Sequence, residues 1–194
     1  GMLGSRLSYE AAIFYIRLED ELIAFRDITD RVFYRNAGES RRIGAELGLA
    51  LEILNGLEMY LAYTFLDAEF ESYVKDGVNL EGNEVPGIPN HQIFGEIFYS
   101  HPSGFYAGLD THFVCEFFAD DENTVENRDY IVTDIRTGFR KQLGKWLITP
   151  SFGIQNLFDE SYSNNVRVNA RGNRFFEPAP GFNFYAGLGI GYQW

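Results

Sequence analysis

Apolar and polar residues alternate with a period of two along most of the chain, and no stretch sustains the 3.6-residue period of an amphipathic helix. In Ile43 to Ile53 the odd positions are Ile43, Ala45, Leu47, Leu49, Leu51 and Ile53, and the even ones Gly44, Glu46, Gly48, Ala50 and Glu52. Successive side chains of a strand point to opposite faces, so this segment has one apolar and one mixed face. Asn55-Gly56 follows, the dipeptide best suited to the positive φ angles of a two-residue hairpin. Leu57, Met59, Leu61, Tyr63 and Phe65 then resume the alternation against Glu58, Tyr60, Ala62 and Thr64. Later, Phe105, Ala107, Leu109, Phe113, Cys115 and Phe117 oppose Asp110, His112 and Glu116, and Ile131, Ile135 and Phe139 oppose Asp134, Arg136 and Arg140. The chain ends with Phe182, Phe184, Ala186, Leu188, Ile190, Tyr192 and Trp194 on one face and Asn183, Tyr185, Gly187, Gly189, Gly191 and Gln193 on the other.

The pattern predicts about eight antiparallel strands, at 7–25, 31–54, 57–72, 91–101, 105–118, 130–142, 145–157 and 174–194, with Asp27 to Asp30 turning between the first two. Short turns at Asn55-Gly56, His101-Pro102-Ser103-Gly104 and Gly144 alternate with long polar loops at Tyr73 to Asn90, Ala119 to Arg128 and Asp159 to Asn173. Short turns at one end and long loops at the other are the layout of an outer-membrane barrel, with periplasmic turns and extracellular loops. An even strand count puts both termini on the periplasmic side. No run approaches ~20 apolar residues, so a membrane-crossing helix is excluded; barrel strands need only alternation.

Alternation also fits a soluble up-and-down barrel, so the mixed face has to decide. In the last strand it is largely glycine, too small to fill a core, while the opposite face carries large aliphatic and aromatic side chains and no charge. A wet or plugged lumen accepts the first and lipid the second. The predicted fold is therefore all-β, an antiparallel up-and-down transmembrane β-barrel, with the soluble barrel as the alternative. Trp146, Tyr192 and Trp194 fall where a periplasmic aromatic girdle is expected. Residues 6–194 form the barrel segment, and residues 1–5 read as a disordered start in which Gly1 before Met2 resembles a tag remnant. No leader pattern is visible, which suggests an excised mature piece or a truncated reading frame.

Four motifs then carry a resemblance. Asn156-Leu157-Phe158-Asp159 followed by Tyr162, Asn36-Ala37-Gly38 with Gly44-Ala45-Glu46, Val85-Pro86-Gly87-Ile88-Pro89-Asn90-His91, and Trp194 ending an alternating aromatic strand resemble the C-terminal part of TonB-dependent outer-membrane receptors, and along the chain they fall in that family's order. The resemblance implies localisation in the bacterial outer membrane and uptake of a scarce nutrient, most often an iron–siderophore complex. It implies barrel assembly machinery, lipid and lipopolysaccharide as partners, and TonB only through N-terminal parts not found here. Family barrels have roughly 22 strands around a plugged lumen, so about eight strands correspond to the last third. A stand-alone small outer-membrane barrel with a structural or adhesive role is the other reading.

The chemistry-bearing residues are few. Sixteen Lys and Arg against twenty-eight Asp and Glu leave a formal charge of −12, the wrong sign for nucleic acid. Cys115 is the one cysteine, which excludes an intrachain disulfide. His91, His101 and His112 lack metal-ligand spacing, and no nucleophile motif or phosphate loop occurs, so neither enzyme, metal nor cofactor is expected. The Asn-Leu-Phe-Asp motif suits tight turning rather than ligand contact. Asp120-Asp121-Glu122 reads as a solvated loop, or as a cation bridge to lipopolysaccharide. In the loop Asn164 to Arg174, Arg167, Arg171 and Arg174 interleave with Asn165, Asn169 and Asn173. Cationic forks beside amide donors suit an anionic ferric complex, which makes Arg167, Asn169, Arg171 and Arg174 the candidate ligand-binding residues; a solvated loop or lipopolysaccharide contacts would use the same composition.

Overall fold

The computed structural model describes every residue except 28, 30 and 37, with the backbone only at 24–26. Eight long strands form one antiparallel meander: β1 (Leu7–Glu19), β2 (Glu39–Leu54), β3 (Leu57–Ser72), β4 (His91–Ser100), β5 (Phe105–Val114), β6 (Tyr130–Phe139), β7 (Trp146–Gln155) and β8 (Asn183–Tyr192). Each pairs with its neighbours in sequence, joined by short turns at one end and longer connections at the other. Gly56 (φ 81°) sits at the Asn55-Gly56 turn, where an added Cβ would run into the Ser100 carbonyl, so glycine is required twice over. In the His101 to Gly104 turn the Gly104 N–H donates to the His101 carbonyl at 2.9 Å.

The register turns the sequence alternation into two continuous faces. One row of directly paired residues crosses all eight strands: Leu7, Leu51, Met59, Ile97, Leu109, Ile135, Ile154 and Phe184. Every member is apolar and outward. The outward band ends at the long-loop side where Ile13, Ala45 and Phe65 give way, through Tyr15, Ile43 and Asp67, to Arg17, Arg41 and Glu69. The apolar length from Leu7 to Tyr15 suits the ~9–11 residues with which a tilted strand crosses hydrocarbon. Beyond it Arg17 pairs with Glu39 (2.5 Å) and Glu71 (3.0 Å), and Arg41 with Glu69 (2.6 Å). At the short-turn end Trp146 and Tyr192 meet edge to face at 4.8 Å, and Tyr192 meets Trp194 at 5.4 Å.

On the inward face, bulky side chains lie over glycines of the paired strand: Phe14 over Gly44, Tyr106 over Gly138, Tyr185 over Gly153, and Arg136 over Gly108. The inward glycines are thus cradles for cross-strand neighbours, which lets large side chains lie against the paired strand. Arg136 also binds Glu96 (3.1 Å) and Asp110, so this cation answers two carboxylates on adjacent strands.

Several predicted ends differ. The first two strands are not continuous over 7–25 and 31–54. They break near Asp20 (φ 56°) and Gly38 (φ 84°), and Leu22–Arg26 with Val32–Asn36 form a separate hairpin. The Asn36 amide donates to Asp20 (2.6 Å) and its oxygen receives the Gly38 N–H (2.6 Å), which holds the bend. Of the Asp27 to Asp30 turn, Ile28 and Asp30 lie outside the described residues. The strand placed at 105–118 ends at Val114. Cys115 and Phe117, assigned to the outward apolar face, are instead buried beneath loops, and Phe117–Phe118 pairs with Glu126–Asn127. The last strand begins at Asn183 rather than 174, because Phe176–Pro178 pairs with Ser163–Val166 in a hairpin of its own. Met2–Leu3 folds back on Leu7–Ser8. Among the described residues no pairing joins β1 to β8, so the sheet has two open edges.

Candidate functional site

The three long loops, 73–90, 115–129 and 156–182, pack together at one end of the sheet. The first folds back along β3: the Val85 N–H donates to Ala68 (2.9 Å) and the Gly82 N–H to Phe70 (2.9 Å). This buries Ala68 and Phe70 with Tyr73, Leu80, Val85 and Ile23. A second apolar cluster, Ala119, Ala170 and Phe175 with Val125 and Val166, joins the other two loops.

Asp121 stands where all three meet, 1% exposed. Its carboxylate accepts from the Asn169 amide (2.8 Å) and the Tyr73 hydroxyl (3.2 Å), and Lys75 lies 3.3 Å away. Its N–H donates to the Asn169 oxygen (3.1 Å), and its carbonyl accepts from Asn83 (2.8 Å). Asn123 exchanges two hydrogen bonds with the Glu84 backbone (2.8 and 3.0 Å), and the Gly87 N–H donates to Phe118 (2.7 Å). Burial, with the Asp121 charge beside it, pushes the Tyr73 hydroxyl far above the usual phenol range. Burial, then the like charges of Asp67 and Glu69, pushes Glu84 up. Asp120 caps its own loop by accepting from Thr124 (2.9 and 2.6 Å) and Val125 (2.8 Å).

The acidic run is therefore not the solvated loop expected of it. Asp120 and Asp121 are buried and engaged, and only Glu122 remains substantially exposed. A free carboxylate bridge to lipopolysaccharide does not fit them.

Asn-Leu-Phe-Asp closes the base of the third loop, as the turn chemistry implies. Asn156 is 2% exposed with φ 51°; its oxygen accepts the Glu160 N–H (2.7 Å) and its amide donates to Glu160 (2.8 Å) and Pro180 (3.3 Å). Asp159 accepts the Phe182 N–H (2.7 Å). Two short side chains in left-handed backbone thus tie the departure of the loop to its return, with Tyr162 against Tyr130 at 4.7 Å.

The four candidate residues sit on or beside the hairpin Ser163–Val166/Phe176–Pro178, and the structure separates them. Asn169 is turned back onto Asp121. The Arg167 guanidinium donates to Glu177 (2.6 Å), which also accepts from Asn165 (2.8 Å). Those contacts, the Asn165 hydrogen bond foremost, hold the Glu177 carboxyl below its usual range. Arg171 and Arg174 lie at the exposed tip around Gly172. Lys75, Tyr73, Asn83 and Asn123 were not legible as members of this cluster; their partners are 38 to 48 residues away in sequence, and no local pattern announces them.

A family model described as TonB dependent receptor-like, beta-barrel, matches residues 2–157. The chain belongs to that family. A probable TonB-dependent siderophore receptor, PiuA of Acinetobacter baumannii, is 24% identical over 180 residues, covering 88% of this chain and 24% of that protein. The crystal structure of the siderophore receptor PiuA from that organism superposes with a TM-score of 0.74 at 23% identity, over 98% of this chain and 26% of that one. The ferric citrate transporter FecA in its unliganded form gives 0.79 at 21% identity, over 97% and 29%. The copper transporter OprC gives 0.74 at 18%, over 99% and 30%. These structures show the shared fold. The chain spans about a quarter of the curated relative, in the C-terminal barrel portion. It is part of an outer-membrane barrel, and the soluble alternative is set aside.

Proposed function

We propose that the chain forms the C-terminal wall and mouth of an outer-membrane receptor that takes up ferric siderophore complexes. The observation that carries the reading is the cluster of three long loops over one end of a receptor-type sheet, with an arginine-bearing hairpin at its tip. The named activity of PiuA, a probable siderophore receptor, supports the ligand class. Arg171 and Arg174 contact the anionic complex by charge-assisted hydrogen bonds, while Arg167 and Asn169 hold the hairpin that presents them. Energy comes through TonB, contacted by parts of the receptor outside these residues. Lipopolysaccharide and the barrel assembly machinery are its further partners, and no chemical step on the ligand is assigned.

The test is uptake of radiolabelled iron, presented as ferric siderophores of known charge, by cells whose gene for this chain is deleted and then restored. Restored, protonophore-sensitive uptake of at least one anionic complex is expected. Accumulation that is identical with and without the gene for every complex, while the protein is in the outer membrane, would refute the reading.

A further inference from the structure

We propose that Asp121 is a positioning residue that latches the three extracellular loops into one body, and so fixes where the Arg171–Arg174 tip stands. Each loop reaches this carboxylate or its own peptide group with a different chemistry. Loop 73–90 supplies Lys75 and Tyr73 to the side chain and Asn83 to the carbonyl. Loop 156–182 supplies Asn169, which both donates to the side chain and accepts from the N–H. Loop 115–129 carries Asp121 itself. Lys75 has only 18% of its side chain exposed, and its second carboxylate, Glu122 at 3.4 Å, is half exposed. Removing the Asp121 charge leaves a mostly buried ammonium with one solvated partner, the costly way to break an ion pair.

The geometry fixes an order of dependence. Asn169 leads directly into Ala170, which packs with Ala119 and Phe175, so the bidentate Asn169–Asp121 contact sets the root of the tip. The Arg167–Glu177 contact stiffens the hairpin but reaches no other loop. Hence Asp121 couples loops to one another, and Glu177 acts within one loop. Local openings draw on the weakest-held segments of a protein; with the latch made, the loops open together.

The role of the tip rests on the proposed function; the latch does not, so the two are tested separately. Hydrogen exchange is followed by mass spectrometry on the intact receptor in detergent. Asp121→Asn accelerates exchange in all three loops together, on the order of tenfold, since charged hydrogen bonds are among the stronger ones. Asn169→Ala accelerates 156–182 and, in 115–129, the Asp121 amide that Asn169 accepts from, with 73–90 unchanged, and Lys75→Met accelerates 73–90 alone. Glu122→Gln, at the exposed partner, leaves all three unchanged. If Asp121→Asn prevents assembly, the two single-arm variants still decide. The latch is overturned if Asp121→Asn affects 115–129 only, or if Asn169→Ala and Lys75→Met leave their own loops unchanged. In uptake, Asp121→Asn raises KM while kcat is kept. A loss of kcat with KM unchanged overturns the positioning role, and absence of uptake by the unaltered receptor refutes the proposed function without touching the exchange result.

Discussion

At the scale of single residues, the inward glycines carry more structural information than their size suggests. Read along the sequence, Gly187, Gly189 and Gly191 imply only a lumen that needs no filling. In the sheet, Gly153 is the bed on which Tyr185 lies and Gly138 the bed for Tyr106. Alternation revealed the face these glycines occupy, but not their partners, which register alone supplies. Gly153→Leu is expected to cost about 1–3 kcal/mol through overpacking, measured by reversible urea unfolding in liposomes, whereas Gly48→Ser should be mild because an added Cβ there meets nothing closer than 3.8 Å. An equal cost at both positions would remove the cradle explanation. Asn156→Ala loses three hydrogen bonds in a buried site and should cost about 1–3 kcal/mol in the same assay. A change indistinguishable from zero would return the motif to a ligand-contact role.

At the scale of elements, strands and turns were legible because each rests on local chemistry: period-two alternation, Asn-Gly, and Pro or Gly between strands. The upper ends were not. Asp20 and Gly38 adopt positive φ in polar stretches that give no turn dipeptide such as Asn-Gly, and Phe176–Pro178 pairs with Ser163–Val166 although its residues also continue the pattern of β8. Composition points to a solvated loop at Asp120-Asp121-Glu122, yet Asp121 is buried because Lys75, Tyr73 and Asn169 arrive from elsewhere. Two expectations belong here. Leu188→Arg, outward and 65% exposed in the chain, should cost roughly 2–4 kcal/mol if it lies near the bilayer midplane, while the inward Gly48→Ser again serves as the mild control. The hairpin carrying the arginine tip should respond to acid. The Asn165 and Arg167 contacts hold the Glu177 carboxyl below the usual glutamate range. A depressed carboxyl pKa contributes stability that is present above the unfolded value and is lost as pH falls through the folded one. Exchange at the Arg167 amide, which donates to Phe175 at 2.7 Å, should therefore speed up, after correction for intrinsic rates, as pH falls below the usual glutamate range. Constant protection through that range would contradict the role given to Glu177.

At the scale of the whole molecule, the two open edges and the family membership agree. A closed eight-stranded barrel would pair β1 with β8, and an unpaired edge in lipid leaves backbone groups unsatisfied at several kcal/mol each. Both edges are expected to pair with further strands of a larger wall, with the apolar row from Leu7 to Phe184 facing lipid throughout. The most direct measurement is disulfide trapping in native outer membranes, in the receptor with Cys115→Ser. Cysteines are placed at outward positions of β1 (Tyr9, Ala11, Ile13) and β8 (Phe184, Ala186, Leu188), with the register pair Ile148 and Ile190 as a positive control. In a larger wall, Ile148→Cys with Ile190→Cys crosslinks within one chain and no β1–β8 combination does; efficient intrachain crosslinking between β1 and β8 would contradict that arrangement and establish a small closed barrel instead.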